Sequence, residues 1–225
     1  MEKTIWIIAN WKSNKSIAEA LDWVTAVGPN IPTSDHLKVV VCPSFSALSE
    51  VKKAITVGNF PLLVGAQDLS PYEEGAYTGE EAAENLNQFV SLAILGHSER
   101  RENFGETDEM VTKKVAQAIQ NNVTPLMCVQ GAEAEVPEGC RLVAYEPVFA
   151  IGNGNADTPE NANQATKALK ESNGSDLKVL YGGSVDAGNV ASFIKQPDIS
   201  GVLIGKASLS AQEFTKICQI VSESK

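Results

Sequence analysis

Residues 125–146 read Pro125-Leu126-Met127-Cys128-Val129, then Gln130-Gly131-Ala132-Glu133-Ala134-Glu135-Val136-Pro137-Glu138-Gly139-Cys140-Arg141, then Leu142-Val143-Ala144-Tyr145-Glu146. The outer pieces are continuous apolar runs of strand length, without the in-and-out alternation of a sheet that has one wet face. Such runs suit strands covered on both sides, as in a parallel sheet. The piece between them is the place for a crossover helix, but it is flanked by Gly131 and cut by Pro137, which breaks helix interiors. At most one turn fits, so the covering helix after this fifth strand is expected to be absent or vestigial.

Working outward, similar runs recur at 5–10, 38–42, 61–66, 90–95, 178–181 and 201–204. Helix signals fall between them. Ser16 followed by Glu19 is a capping box ahead of Ile17, Leu21, Val24 and Val27 at helical spacing. Ser210 with Glu213 repeats the pattern ahead of Phe214, Ile217, Ile220 and Val221. Thr158-Pro159-Glu160 gives a capping hydroxyl, a proline at the first helical position and an early acid. Eight strands interleaved with helices, with no linker or low-complexity run, predict a single α/β domain over residues 1–225, a parallel eight-stranded (β/α)8 barrel. A doubly wound open sheet is the rival.

Charge narrows the partners. The 28 acidic side chains outnumber 18 basic ones among 225 residues, for a net charge of −10 and a pI near 4.7. That is the wrong sign for binding nucleic acid or an anionic membrane. The apolar runs are also far too short to cross a bilayer. Cys42, Cys128, Cys140 and Cys218 are scattered, which indicates neither a zinc site nor a disulfide framework and suits a reducing cytoplasm. The first residues lack the basic head of a signal peptide and read as a strand.

Functional groups of a parallel barrel gather where strands end. The expected strand ends carry Asn10-Trp11-Lys12, Gly96-His97-Ser98-Glu99, Glu146-Pro147, Tyr181-Gly182-Gly183-Ser184 and Gly205-Lys206. Taken singly, the lysine reads as a solvated charge, the histidine as a cap and the glutamate as a rim ion-pair partner. Their joint position at one rim favours chemistry instead, because a carboxylate at the end of an apolar strand is costly to desolvate. Gly182-Gly183-Ser184 opening a helix, beside the turn at Gly205, suits backbone capture of a phosphate. Neither a P-loop nor a Gly-x-Gly-x-x-Gly sequence is present. Residues 147–156, small and apolar, read as a lid over a substrate.

Asn10-Trp11-Lys12, Gly65-Ala66-Gln67, Tyr77-Thr78-Gly79-Glu80, Gly96-His97-Ser98-Glu99-Arg100-Arg101, Ala144-Tyr145-Glu146-Pro147-Val148, Ala150-Ile151-Gly152, Tyr181-Gly182-Gly183-Ser184 and Ala207-Ser208-Leu209, in order along the whole chain, resemble triosephosphate isomerase. The resemblance implies a TIM barrel that interconverts dihydroxyacetone phosphate and glyceraldehyde 3-phosphate through an enediolate. It makes Glu146 the base, His97 a neutral electrophile and Lys12 the cation beside the developing oxyanion. Asn10 then places substrate and lysine, while Gly152, Gly183, Ser184, Gly205 and the backbone of Lys206 match phosphate contacts. It implies no metal and no organic cofactor. It also implies a homodimer, with the third loop (68–79) inserted beside a partner's site and Arg100 and Glu80 as ionic partners near that contact.

Three departures from the pattern stand out. Phe149 replaces a tryptophan, Cys128-Val129-Gln130-Gly131 replaces Cys-Ile-Gly-Glu, and Lys206 replaces the second glycine after strand eight. If that last position needs a positive φ, lysine there is strained. The bare flank after strand five leaves the choice between dimer and tetramer open. Another phosphosugar epimerase or lyase would share the phosphate turns without needing this trio, and a non-catalytic scaffold would be expected to have lost part of it.

Overall fold

The computed structural model describes residues 3–147 and 157–224. Eight strands, β1 (Ile5–Asn10), β2 (Leu37–Cys42), β3 (Leu63–Ala66), β4 (Leu92–Leu95), β5 (Thr124–Val129), β6 (Leu142–Tyr145), β7 (Lys178–Tyr181) and β8 (Ile199–Ile204), pair in chain order. All pairings are parallel, and β8 returns to β1 with Trp6 opposite Gly201 and Ala9 opposite Ile204. That closure excludes the open doubly wound sheet.

Around the barrel lie α1 (Ile17–Val27), α2 (Leu48–Gly58), α3 (Ala83–Leu86), α4 (Ser98–Phe104), α5 (Asp108–Gln120), α6 (Pro159–Asn173), α7 (Val190–Ile194) and α8 (Ala211–Glu223). The Ser16–Glu19 capping box is complete, and Thr158 caps α6 with Pro159 in its first turn. The second expected box is only half formed. Ser210 Oγ accepts from Glu213 N at 3.3 Å, but the Glu213 carboxylate accepts from Ala187 N at 2.9 Å instead of returning to its own helix start. That carboxylate therefore ties α8 to the turn after β7.

Strand residues divide by period two. Ile8, Val40, Cys42, Ile94, Leu126, Cys128, Leu142, Ala144, Leu180 and Leu203 fill the barrel interior, while Ile7, Ala9, Val41, Leu95, Val143 and Val179 pack outward under the helices. Both faces of every strand are thus apolar, which is why the runs do not alternate. One further step of the same period sets the site. Asn10 lies two residues beyond Ile8, and Glu146 two beyond Ala144, so both continue the inward row at the C-terminal rim.

No helix forms between Val129 and Leu142. Asn173, the last residue of α6, holds this connection: its side chain donates to Ala134 O at 3.1 Å and accepts from Val136 N at 2.9 Å. A cavity of about 750 Å³ on this flank is lined by residues that include Arg101, Met127, Glu133 and Val136.

A buried ionic cluster sits beside β3. Lys114, only 2% exposed, reaches both oxygens of Asp68 at 2.7 and 2.8 Å and also touches Glu106. Arg100 Nε lies 2.8 Å from Asp68 Oδ2. Within the chain Arg100 therefore pairs with Asp68 and not with the exposed Glu80, because a desolvated carboxylate needs the countercharge more than a solvated one does.

Candidate active site

A cavity of about 580 Å³ opens at the C-terminal rim and is lined by Asn10, Lys12, His97, Glu146, Gly183, Ser184, Gly205 and Lys206 among others. Every site residue expected from the sequence is therefore gathered here, apart from Gly152. Residues 148–156, which carry Gly152, Phe149 and the expected lid, lie outside the described residues.

Glu146 follows β6 and is 1% exposed. Its backbone N–H donates to Val129 O at 2.8 Å, which fixes the turn. Oε1 lies 3.1 Å from His97 Nε2, and Oε2 accepts from Ser98 N at 3.1 Å. Burial holds the carboxyl above its usual pKa, although His97, the Ser98 N–H and Lys12 all pull it down. Beneath it, the buried Cys128 thiol is pushed well up, chiefly by desolvation and further by Glu146.

His97 is the N-cap of α4, and its Nδ1 accepts from Glu99 N at 3.2 Å. An Nδ1 that accepts carries no proton, so in this tautomer the ring proton sits on Nε2, which faces Glu146 and the cavity.

Lys12 has φ of 53°, in the left-handed region. Two side chains hold it there: Asn10 Oδ1 accepts from Lys12 N at 3.0 Å, and Gln67 Nε2 donates to Lys12 O at 2.8 Å. A non-glycine residue in that region stores roughly 1–3 kcal/mol, and such strain clusters at functional sites. Its ammonium pairs with Glu99 Oε1 at 2.6 Å. Lys206 opens a 3₁₀ turn (Lys206–Leu209) outside the left-handed region, so the condition under which lysine would be strained there is not met. The left-handed lysines lie in the loop after β1, Lys12 at φ 53° and Lys15 at φ 71°.

The turn after β7 is shaped by close approach. A Cβ on Gly183 would fall 2.1 Å from the Tyr181 hydroxyl oxygen, and one on Gly182 would fall 2.9 Å from Glu146 Cγ. Tyr181, whose hydroxyl burial pushes up to about 12, accepts from Asp157 N at 2.8 Å.

Sequence reasoning assigned no role to Gln67; it showed Gly182 only as part of the phosphate turn and Ser98-Glu99 only as the helix start after His97. Each lies inside a stretch that carried the family resemblance, so the signal was present. Their roles depend on contacts across the barrel that local spacing does not reveal. His36 lies at the other end of the barrel, where its carbonyl accepts from Ile5 N at the start of β1. Among the described residues, no group of three or more His, Cys, Asp or Glu is arranged to hold a metal ion, and no helix is long and apolar enough to cross a membrane.

The triosephosphate isomerase family model matches residues 5–141 and 139–221. The two stretches meet at the helix-less connection between β5 and β6. The chain is 37% identical over 239 residues to the triosephosphate isomerase of Endomicrobium trichonymphae, covering 92% of this chain and 95% of that protein. It is 38% identical over 250 residues to that of Alkaliphilus oremlandii, covering 96% and 99%.

Proposed function

The chain belongs to the triosephosphate isomerase family and interconverts dihydroxyacetone phosphate and D-glyceraldehyde 3-phosphate; from that premise we propose that the reaction runs through an enediolate, with Glu146 as base and His97 as electrophile. The observation that supports these roles is the meeting of Glu146 Oε1 and His97 Nε2 at 3.1 Å, at the wall of a cavity that also holds Lys12.

Glu146 removes the proton from the carbon beside the carbonyl, and the electron pair moves onto the carbonyl oxygen. His97 Nε2–H donates to that oxygen, and Lys12 adds positive charge beside it. Glu146 then returns the proton to the neighbouring carbon, while His97 passes the proton of the first carbon's hydroxyl to the former carbonyl oxygen, so that the carbonyl re-forms one carbon along. No electron leaves the substrate, so the chemistry asks for no cofactor. A base held above the ordinary carboxylate range is better matched to this step than a solvated one. Asn10 keeps Lys12 in its left-handed turn. The backbone at Gly183, Gly205 and Lys206, together with Ser184, takes the phosphate through N–H groups of two adjacent turns. By the family resemblance Gly152, which lies outside the described residues, is a further phosphate contact.

The working form is a cytoplasmic homodimer. Its support is the exposed apolar surface around the third loop, where Tyr72 and Tyr77 stack at 4.2 Å and Phe104 is 71% exposed.

A coupled assay with glyceraldehyde 3-phosphate tests the reading. Glu146→Asp shortens the base by one methylene, and kcat is expected to fall about a hundredfold with the fold retained. Equal turnover by the variant and the parent would remove Glu146 from this role.

A further inference from the structure

The cavity assigned above to a phosphate dianion is lined by more acidic than basic side chains. Lys12 and Lys206 line it against Glu146, Asp186 and Glu213. Lys12 is already engaged, with its ammonium 2.6 Å from Glu99 Oε1. Asp186 Oδ1 accepts from Gly188 N and Asn189 N at 2.8 and 3.1 Å, and Glu213 Oε1 accepts from Ala187 N. Lys206 differs from all of these. It is exposed and, among the described residues, has neither an ion pair nor a hydrogen bond from its side chain.

Its place in the chain gives that free charge a purpose. Lys206 follows Gly205, opens the 3₁₀ turn after β8, and lies next to the Gly182-Gly183-Ser184 turn after the neighbouring strand β7. Those two turns offer only backbone N–H groups and one hydroxyl to a dianion, inside a molecule of charge −10. A lysine on a flexible stem can bring a compact charge to phosphate oxygens without fixed geometry.

We propose that the Lys206 ammonium is a second phosphate-binding cation of this site, holding the dianionic end of the substrate so that Lys12, already paired with Glu99, need not serve the phosphate as well as the reacting oxygen. The assignment rests on the isomerase reading for its substrate, but its chemistry is that of any phosphate dianion. The charge lies at the cavity mouth, so its effect is modest and sensitive to salt.

The test is the dissociation constant of inorganic phosphate, measured by titration calorimetry at 20 mM and 500 mM NaCl for the parent, Lys206→Met, Lys206→Gly and Lys206→Arg, beside KM and kcat for glyceraldehyde 3-phosphate. At low salt Met and Gly are expected to weaken phosphate roughly fivefold, and Arg to restore it to within about twofold. At high salt the difference should shrink. KM should rise by a larger factor than kcat falls. Unchanged phosphate affinity in Lys206→Met, or the same loss at both salt concentrations, overturns the proposal. A parent protein that turns over no triose phosphate, combined with the predicted loss of phosphate affinity, would sink the isomerase reading and leave the cation assignment standing.

Discussion

Gly182 and Glu146 are neighbours by exclusion: the space a Cβ would occupy on the glycine, 2.9 Å from Glu146 Cγ, is where the carboxylate side chain passes. The glycine's φ is not in the left-handed region, so alanine meets no backbone penalty there. The shortest approach is to Glu146, with the Tyr145 carbonyl oxygen next at 3.3 Å. Gly182→Ala is therefore expected to lower kcat by about tenfold to a hundredfold by displacing Glu146, with a smaller change in unfolding temperature than Gly183→Ala produces by striking Tyr181. The coupled assay and a thermal melt separate the two, and a Gly182→Ala enzyme within twofold of the parent would refute the steric account.

Glu146 opposes the fold it sits in. Desolvation raises its pKa, so the folded state prefers the protonated acid. A raised group contributes stability that is fully present below its unfolded pKa and is lost as pH rises through the folded one. At neutral pH the buried charge is consequently a burden. Glu146→Gln should abolish turnover and raise Tm at pH 7 by about 2–4 °C, a gain that shrinks in acid below the ordinary carboxylate range. The acid limb of kcat/KM should likewise lie above that range. Calorimetric scans at pH 4 and pH 7 check the sign, and a lower Tm for the variant at pH 7 would reverse it.

Lys114 has no water to fall back on. It is enclosed with Asp68 and Glu106, so removing it leaves two carboxylates buried without their shared partner. Lys114→Met is expected to cost about 3–5 kcal/mol in urea unfolding. A loss below about 1 kcal/mol would show that Arg100 alone carries the cluster.

The stacked tyrosines of the third loop offer a direct probe of assembly. Tyr77→Asp places a charge on the apolar surface assigned above to the proposed homodimer contact. Sedimentation should show the dimer weakened about thirtyfold or more, with activity falling in parallel as the protein is diluted. An undisturbed dimer would move the interface elsewhere.

The barrel could be read because each strand announces itself locally, and the proline-cut stretch at 130–141 announces the missing helix just as locally. Strand starts were harder. Pro61 and Leu62 looked like β3, but Leu62 N donates to Phe60 O in a turn, so the strand begins at Leu63. Gly201 looked like the beginning of β8, yet it lies within the strand, where the Trp6 backbone stands 2.1 Å from any Cβ and a register shift against β7 accommodates the contact. In the site, Lys12, His97 and Glu146 were visible as strand-end residues. The Lys12–Glu99 ion pair and the Gln67 brace were not, because each joins residues far apart in sequence that only barrel closure brings into contact.

The side-chain amide of Asn173 stands in for an entire layer of wall. Its two hydrogen bonds fasten the link after β5 to the end of α6, so this crossover is closed by one polar side chain in place of an apolar helix face.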